Sequence, residues 1–103
     1  MEGIELICFQ IISGVGSARS YYIEAIQKAK ENRFEEAEKC VSLGKEIFLE
    51  GHKAHANLIK NEASGNITPI NLLLVHSEDQ LMSAEAFGIL SEEFIDIYKV
   101  INK

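Results

Sequence analysis

The stretch Ala63-Ser64-Gly65-Asn66-Ile67-Thr68-Pro69 separates two long segments of helical periodicity, and it decides how they are arranged. Gly65 is a helix stop signal, because glycine adopts the left-handed backbone that closes a helix without a Cβ clash. Thr68-Pro69 reads as a helix start. Threonine caps the free amides, and proline at the first helical position gives up an N–H that has no partner there. A link this short returns the chain antiparallel to itself.

The segment before the link runs from about Phe34 to Ala63. Its apolar stripe is Phe34, Ala37, Val41, Gly44, Phe48, Gly51, His55 and Leu58, stepping by three and four. The segment after it runs from about Pro69 to Ile101. One seam there is Leu72, Val75, Asp79, Met82, Ala86, Ile89, Glu93 and Asp96; its neighbour is Leu73, His76, Gln80, Ser83, Phe87, Leu90, Phe94 and Ile97. Further upstream, Ile4, Ile7, Ile11, Val15, Ala18, Tyr22, Ala25 and Ala29 mark a helix from about Glu2 to Glu31. Asn32 and Arg33 make its short link to the second. The spacing predicts an all-α, antiparallel up-down-up three-helix bundle, as one domain over residues 1–103. Each helix would be roughly 45 Å long at about 1.5 Å per residue.

Composition narrows the function. Seven glycines and one proline are too few for many short strands, and 47% hydrophobic residues are too many for a disordered tail. A net charge of −6 argues against a nucleic-acid binder and against a polybasic membrane anchor. No uninterrupted apolar stretch is long enough to span a bilayer, which takes about 20 residues. The start, with Glu2 and Glu5 and no basic residue before Arg19, has the wrong charge for a secretory signal. Cys8 and Cys40 match no metal or redox spacing and sit among apolar neighbours. They are expected as reduced core residues of a cytoplasmic protein.

A bundle this slender buries one thin core, yet Tyr21, Ile23, Ile47, Leu49 and the run Leu72 to Val75 cannot all face it. Apolar surface of that extent marks an interface, so a closed, cyclic homo-oligomer is expected. Gly14 and Gly16, inside the first helix, read as a kink or a close helix crossing, or as a small-residue wall beside a site.

Three histidines are candidates for chemistry. His52 and His55 share a face of the second helix, but two histidines make no zinc site. No Glu-x-x-His pair occurs, which excludes a ferritin-like dimetal centre. Serine-hydrolase, cysteine-protease, P-loop and dinucleotide signatures are absent. His76 stands at the edge of an apolar run, with Asp79 one helical turn on. The two read either as a core histidine held by a carboxylate or as a functional pair. Asp79 also breaks an apolar seam. It is either an exposed edge carboxylate or, where third helices meet at an oligomer axis, one of several converging charges. Each like pair then costs about 4 kcal/mol at roughly 4 Å and an effective dielectric of about 20. A divalent cation with oxygen ligands relieves that repulsion.

The segment Ile70-Asn71-Leu72-Leu73-Leu74-Val75-His76-Ser77-Glu78-Asp79-Gln80-Leu81-Met82 resembles the signature of the IIA components of the lactose/cellobiose class of the bacterial sugar phosphotransferase system. Gly16-Ser17-Ala18-Arg19-Ser20 is similar to the family's first-helix motif, and His52, Ala54 and Leu58-Ile59 to its second-helix pattern. Four positions differ from the common pattern: Ser77-Glu78 stands where Ala-Gln is common, His55 where glutamine is usual, and Gln80 where a second histidine is usual.

The resemblance implies a homotrimeric three-helix bundle. It makes His76 the phosphorylated nucleophile and Asp79 the carboxylate that meets its two symmetry mates around a divalent cation, magnesium expected, one per trimer. The phosphoryl group would arrive from phospho-HPr and leave to a cysteine of the IIB component, during uptake of a disaccharide of lactose, cellobiose or chitobiose type. A neutral imidazole suits this task, being a good nucleophile near neutral pH. No nucleic acid and no membrane insertion are implied. Two other readings of an exposed helical histidine are a histidine phosphotransfer domain of two-component signalling and a non-catalytic helical interaction protein. The first usually carries a lysine and a glycine soon after its histidine, and His76-Ser77-Glu78-Asp79-Gln80 has neither.

Overall fold

Three α-helices carry residues 3–103, the part that this computed structural model describes. They are α1, Gly3–Lys30; α2, Phe34–Ala63; and α3, Leu72–Ile101. The expected start of the first helix at Glu2 lies outside the described residues. The bundle is 54 Å long and 23 × 20 Å across. α1 is its spine, packing along both partners, while α2 and α3 meet over a smaller area.

Both links close by the same device. Asn32 has φ 62°, and behind it the Asn32 and Arg33 amides donate to the carbonyls of Ala29 and Lys28. Gly65 has φ +97°, and the Gly65 and Asn66 amides donate to the carbonyls of Glu62 and Asn61. Each is a paired helix-end motif that satisfies two otherwise free carbonyls. The third helix starts later than Pro69. Asn71, in extended conformation, accepts the Leu74 amide on its side chain at 2.9 Å and so caps the helix. This side-chain cap sets the boundary, and Thr68 and Pro69 belong to the link.

The core has two layers. Near one end Cys8, Ile11 and Val15 of α1 meet Leu58 of α2 and Leu74, Leu81 and Ala84 of α3. Towards the other, Ala18, Tyr22, Ala25 and Ala29 meet Ala37, Cys40, Val41 and Ile95. Cys8 and Cys40 are free and buried, one in each layer. The stripes expected on α1 and α2 face inward. The two seams expected on α3 do not form its inner face. That face is Leu74, Ser77, Leu81, Ala84, Gly88, Ser91 and Ile95. Ser77 and Ser91 are tolerated there because each hydroxyl donates to the carbonyl three residues back, both at 2.8 Å.

Small residues on this face let α3 come close to the large side chains of α1. The Tyr22 ring sits between two glycines: a Cβ on Gly44 would stand 2.6 Å from it, and one on Gly88 3.0 Å. Gly14 meets Gly51 backbone to backbone at the α1–α2 crossing, without interrupting α1. Gly14 is thus the close crossing, whereas a Cβ on Gly16 would meet nothing within 4 Å. Many bulky apolar residues of α3 point away from the bundle: Leu72, Val75, Met82 and Ile89 form one exposed stripe, and Leu90, Phe94 and Ile97 another. No described helix is long and apolar enough to cross a membrane.

Candidate functional site

The site grows out of the capped start of α3. Asn71 fixes the first turn, so Leu72 to Val75 lead directly into His76 in the second. Leu74 and Ser77 anchor this stretch to α1 and α2, which turns the residues between them outward. His76 is exposed, and the reading of it as a core histidine does not hold. Its imidazole is open to a macromolecular partner. The first turn of α3 carries no acidic residue, so the positive end of the helix dipole lies unopposed just before His76.

Asp79 is also exposed, on the stripe of Leu72, Val75, Met82 and Ile89. It is the carboxylate in an otherwise apolar face. No group of three His, Cys, Asp or Glu residues capable of holding a metal ion occurs among the described residues of one chain. Asp79 supplies hard oxygen donors of the kind Mg²⁺ prefers.

Two contacts across helices flank His76. Arg19 of α1 donates from Nη1 to Oε1 of Gln80 at 2.7 Å, and both side chains are partly buried. Gln80 lies one helical turn after His76, on the same side of α3. On the other flank, Nε2 of His55 on α2 lies 2.8 Å from Oε2 of Glu78. The negative charge that Glu78 brings beside His76 is therefore held by α2. His52 takes no part in this arrangement; it is exposed and stacks on Phe48 with ring centroids 6.1 Å apart. The arrangement combines an exposed imidazole, a guanidinium held on the residue one turn after it, and an exposed carboxylate.

Neither cross-helix contact was expected from the sequence. Arg19 was read within a motif and as the first basic residue of the chain, with no partner on α3. His55 was expected to fill the stripe of α2, which it does, largely buried; its tie to Glu78 carries no local signal.

The sequence model of the family described as "PTS system, Lactose/Cellobiose specific IIA subunit" matches residues 6–99. The lichenan-specific phosphotransferase enzyme IIA component of Bacillus subtilis is 39% identical over 102 residues, covering 99% of this chain and 93% of its own. The crystal structure of the PTS cellobiose-specific enzyme IIA from Bacillus anthracis superimposes with a TM-score of 0.94 at 40% identity, over 99% of this chain and 94% of that one. The chitobiose IIA of Escherichia coli, solved in complex with HPr, aligns over 100% of both chains with a TM-score of 0.85 and 25% identity. The chain belongs to the lactose/cellobiose-specific IIA family of the sugar phosphotransferase system, whose members are phosphotransferase components that carry a phosphoryl group during sugar uptake.

Proposed function

We propose that this chain is a cytoplasmic phosphocarrier that accepts a phosphoryl group from phospho-HPr on His76 and passes it to a cysteine of a IIB component. The observation that carries this reading is an exposed His76 at the capped start of α3, inside a chain that matches the family over residues 6–99. An imidazole nitrogen of His76 attacks phosphorus. The N–P bond to the donor histidine breaks as the new N–P bond forms, and the electron pair of the broken bond stays on the departing ring nitrogen. The second transfer runs in the same way, from His76 to a thiolate sulfur. Such transfers need alignment and charge neutralisation more than covalent help from other groups. Family membership favours this reading over a two-component phosphotransfer domain or a passive interaction protein. The imported sugar is read as a β-linked di- or oligosaccharide, since the relatives are named for cellobiose and lichenan.

The assembly is read as a homotrimer with α3 against the axis. The exposed stripe of Leu72, Val75, Met82 and Ile89 supports this, since apolar area of that extent seldom stays in water. Three copies of Asp79 would then converge and hold one divalent cation, magnesium expected. Carboxylate oxygens fit that ion, whose chemistry there is to neutralise the three charges. The phosphocarrier reading is tested by incubating the protein with phosphoenolpyruvate, enzyme I and HPr: one phosphoryl group per chain is expected, and none on His76→Ala.

A further inference from the structure

We infer that Arg19 is the phosphoryl-binding residue of this carrier, parked on Gln80 until His76 is phosphorylated; this rests on the phosphocarrier reading of His76. The chain has two arginines, and their surroundings differ. Arg33 is tied to Glu31 and Glu36 in an exposed pair of salt bridges. Arg19 is in no ion pair among the described residues; the partner that holds it is the neutral amide of Gln80, at 2.7 Å. A guanidinium that is partly buried with no counter-charge is poised for an anion.

Its position fits the anion that His76 would carry. Gln80 follows His76 by four residues, so their Cβ atoms are about 6 Å apart on one helix face. A guanidinium resting on the tip of Gln80 is then within one side-chain adjustment of a phosphoryl group on the His76 ring. One of its five N–H donors is occupied by Gln80, which leaves a fork for two phosphoryl oxygens. Leaving or sharing an uncharged amide costs little, whereas leaving a carboxylate would cost an ion pair. Gln80 thus holds Arg19 in place without neutralising it.

The surrounding charges make this cation matter. Glu78 and Asp79 both lie within three residues of His76, and a dianionic phosphoryl group adds to them. Glu78 is hydrogen-bonded to His55, and Asp79 is exposed on the apolar stripe. Arg19 answers the charge of the phosphoryl group itself.

The test uses the full-length protein, phosphorylated enzymatically. In the wild type, the side-chain Nε–Hε signals of the two arginines are followed by ¹⁵N NMR as His76 is phosphorylated. The Arg19 signal is expected to shift while that of Arg33 stays, which needs no variant. Arg19→Gln, checked for helicity and melting, is expected to slow phosphorylation by about tenfold or more. It should also raise the pH midpoint of the phosphoryl ³¹P titration, because a guanidinium favours the dianion. Arg19→Lys should recover part of both effects. An unshifted Arg19 signal, or a folded Arg19→Gln with wild-type rate and ³¹P titration, would overturn the inference. Phosphorylation of His76→Ala would instead count against the phosphocarrier reading.

Discussion

The imidazole Nε2 of His55 on α2 lies 2.8 Å from the Glu78 carboxylate on α3, two residues after the proposed phosphorylation site. The two residues, 23 positions apart in sequence, form a cross-helix pair. His55 is largely buried, with 16% of its side chain exposed, and Glu78 is half exposed at 48%. A double-mutant cycle with His55→Gln and Glu78→Gln, read by urea unfolding, should give a coupling of about 0.5–1 kcal/mol that falls with added salt. Additive single-variant effects would remove the pair from the account.

The glycines against Tyr22 should be intolerant, unlike Gly16. A Cβ on Gly44 would lie 2.6 Å from the Tyr22 ring, so Gly44→Ala should cost about 1–3 kcal/mol. Gly16→Ala meets open space and should stabilise by up to about 1 kcal/mol, from helix propensity alone. Urea midpoints of the two variants moving in the same direction would contradict this packing.

Alkaline pH should loosen the second core layer. Burial, and then the charge of Glu92, raises the Tyr22 hydroxyl above its ordinary 10.0. Burial first also raises the Cys40 thiol above its ordinary 9.0. A raised folded-state value means that stability is fully present below the unfolded-state value and is lost as pH rises through the folded one. Unfolding midpoints should therefore fall between about pH 8 and about pH 11, and Tyr22→Phe should reduce the fall. A decline as steep in Tyr22→Phe as in the wild type would assign it elsewhere.

How far the sequence can be read depends on which helix carries bulk inward. On α1 and α2 the large apolar residues recur by threes and fours and face the core, so their stripes were legible. On α3 the inner face is built from Ser77, Ala84, Gly88 and Ser91, which local pattern scores as polar or neutral. Leu72, Leu90, Met82 and Ile89 face outward, while near Tyr22 the close approach requires small residues inside. Pattern reading finds the more apolar seam, and on α3 that seam belongs to a surface. His76 and Asp79 stand out in the sequence because they break apolar runs. The Arg19–Gln80 and His55–Glu78 contacts span 61 and 23 positions, and only the packing of helices brings them together.

The exposed stripe of α3 should be a trimer interface whose charge is removable. Asp79→Leu extends the stripe through Val75 and Met82 and would remove the three carboxylates proposed to converge there. It should keep or strengthen the trimer in sedimentation and lose the single divalent cation that elemental analysis of the wild type is expected to show. Stoichiometric metal retained in that variant would refute the assignment of Asp79.

Intact-protein mass spectrometry after incubation with phosphoenolpyruvate, enzyme I and HPr tests the central claim most directly. The account predicts one acid-labile, alkali-stable phosphoryl group per chain in the wild type, as expected of phosphohistidine, and none in a folded His76→Ala. A phosphoryl group that persists in His76→Ala, or a folded wild type that accepts none, would contradict it.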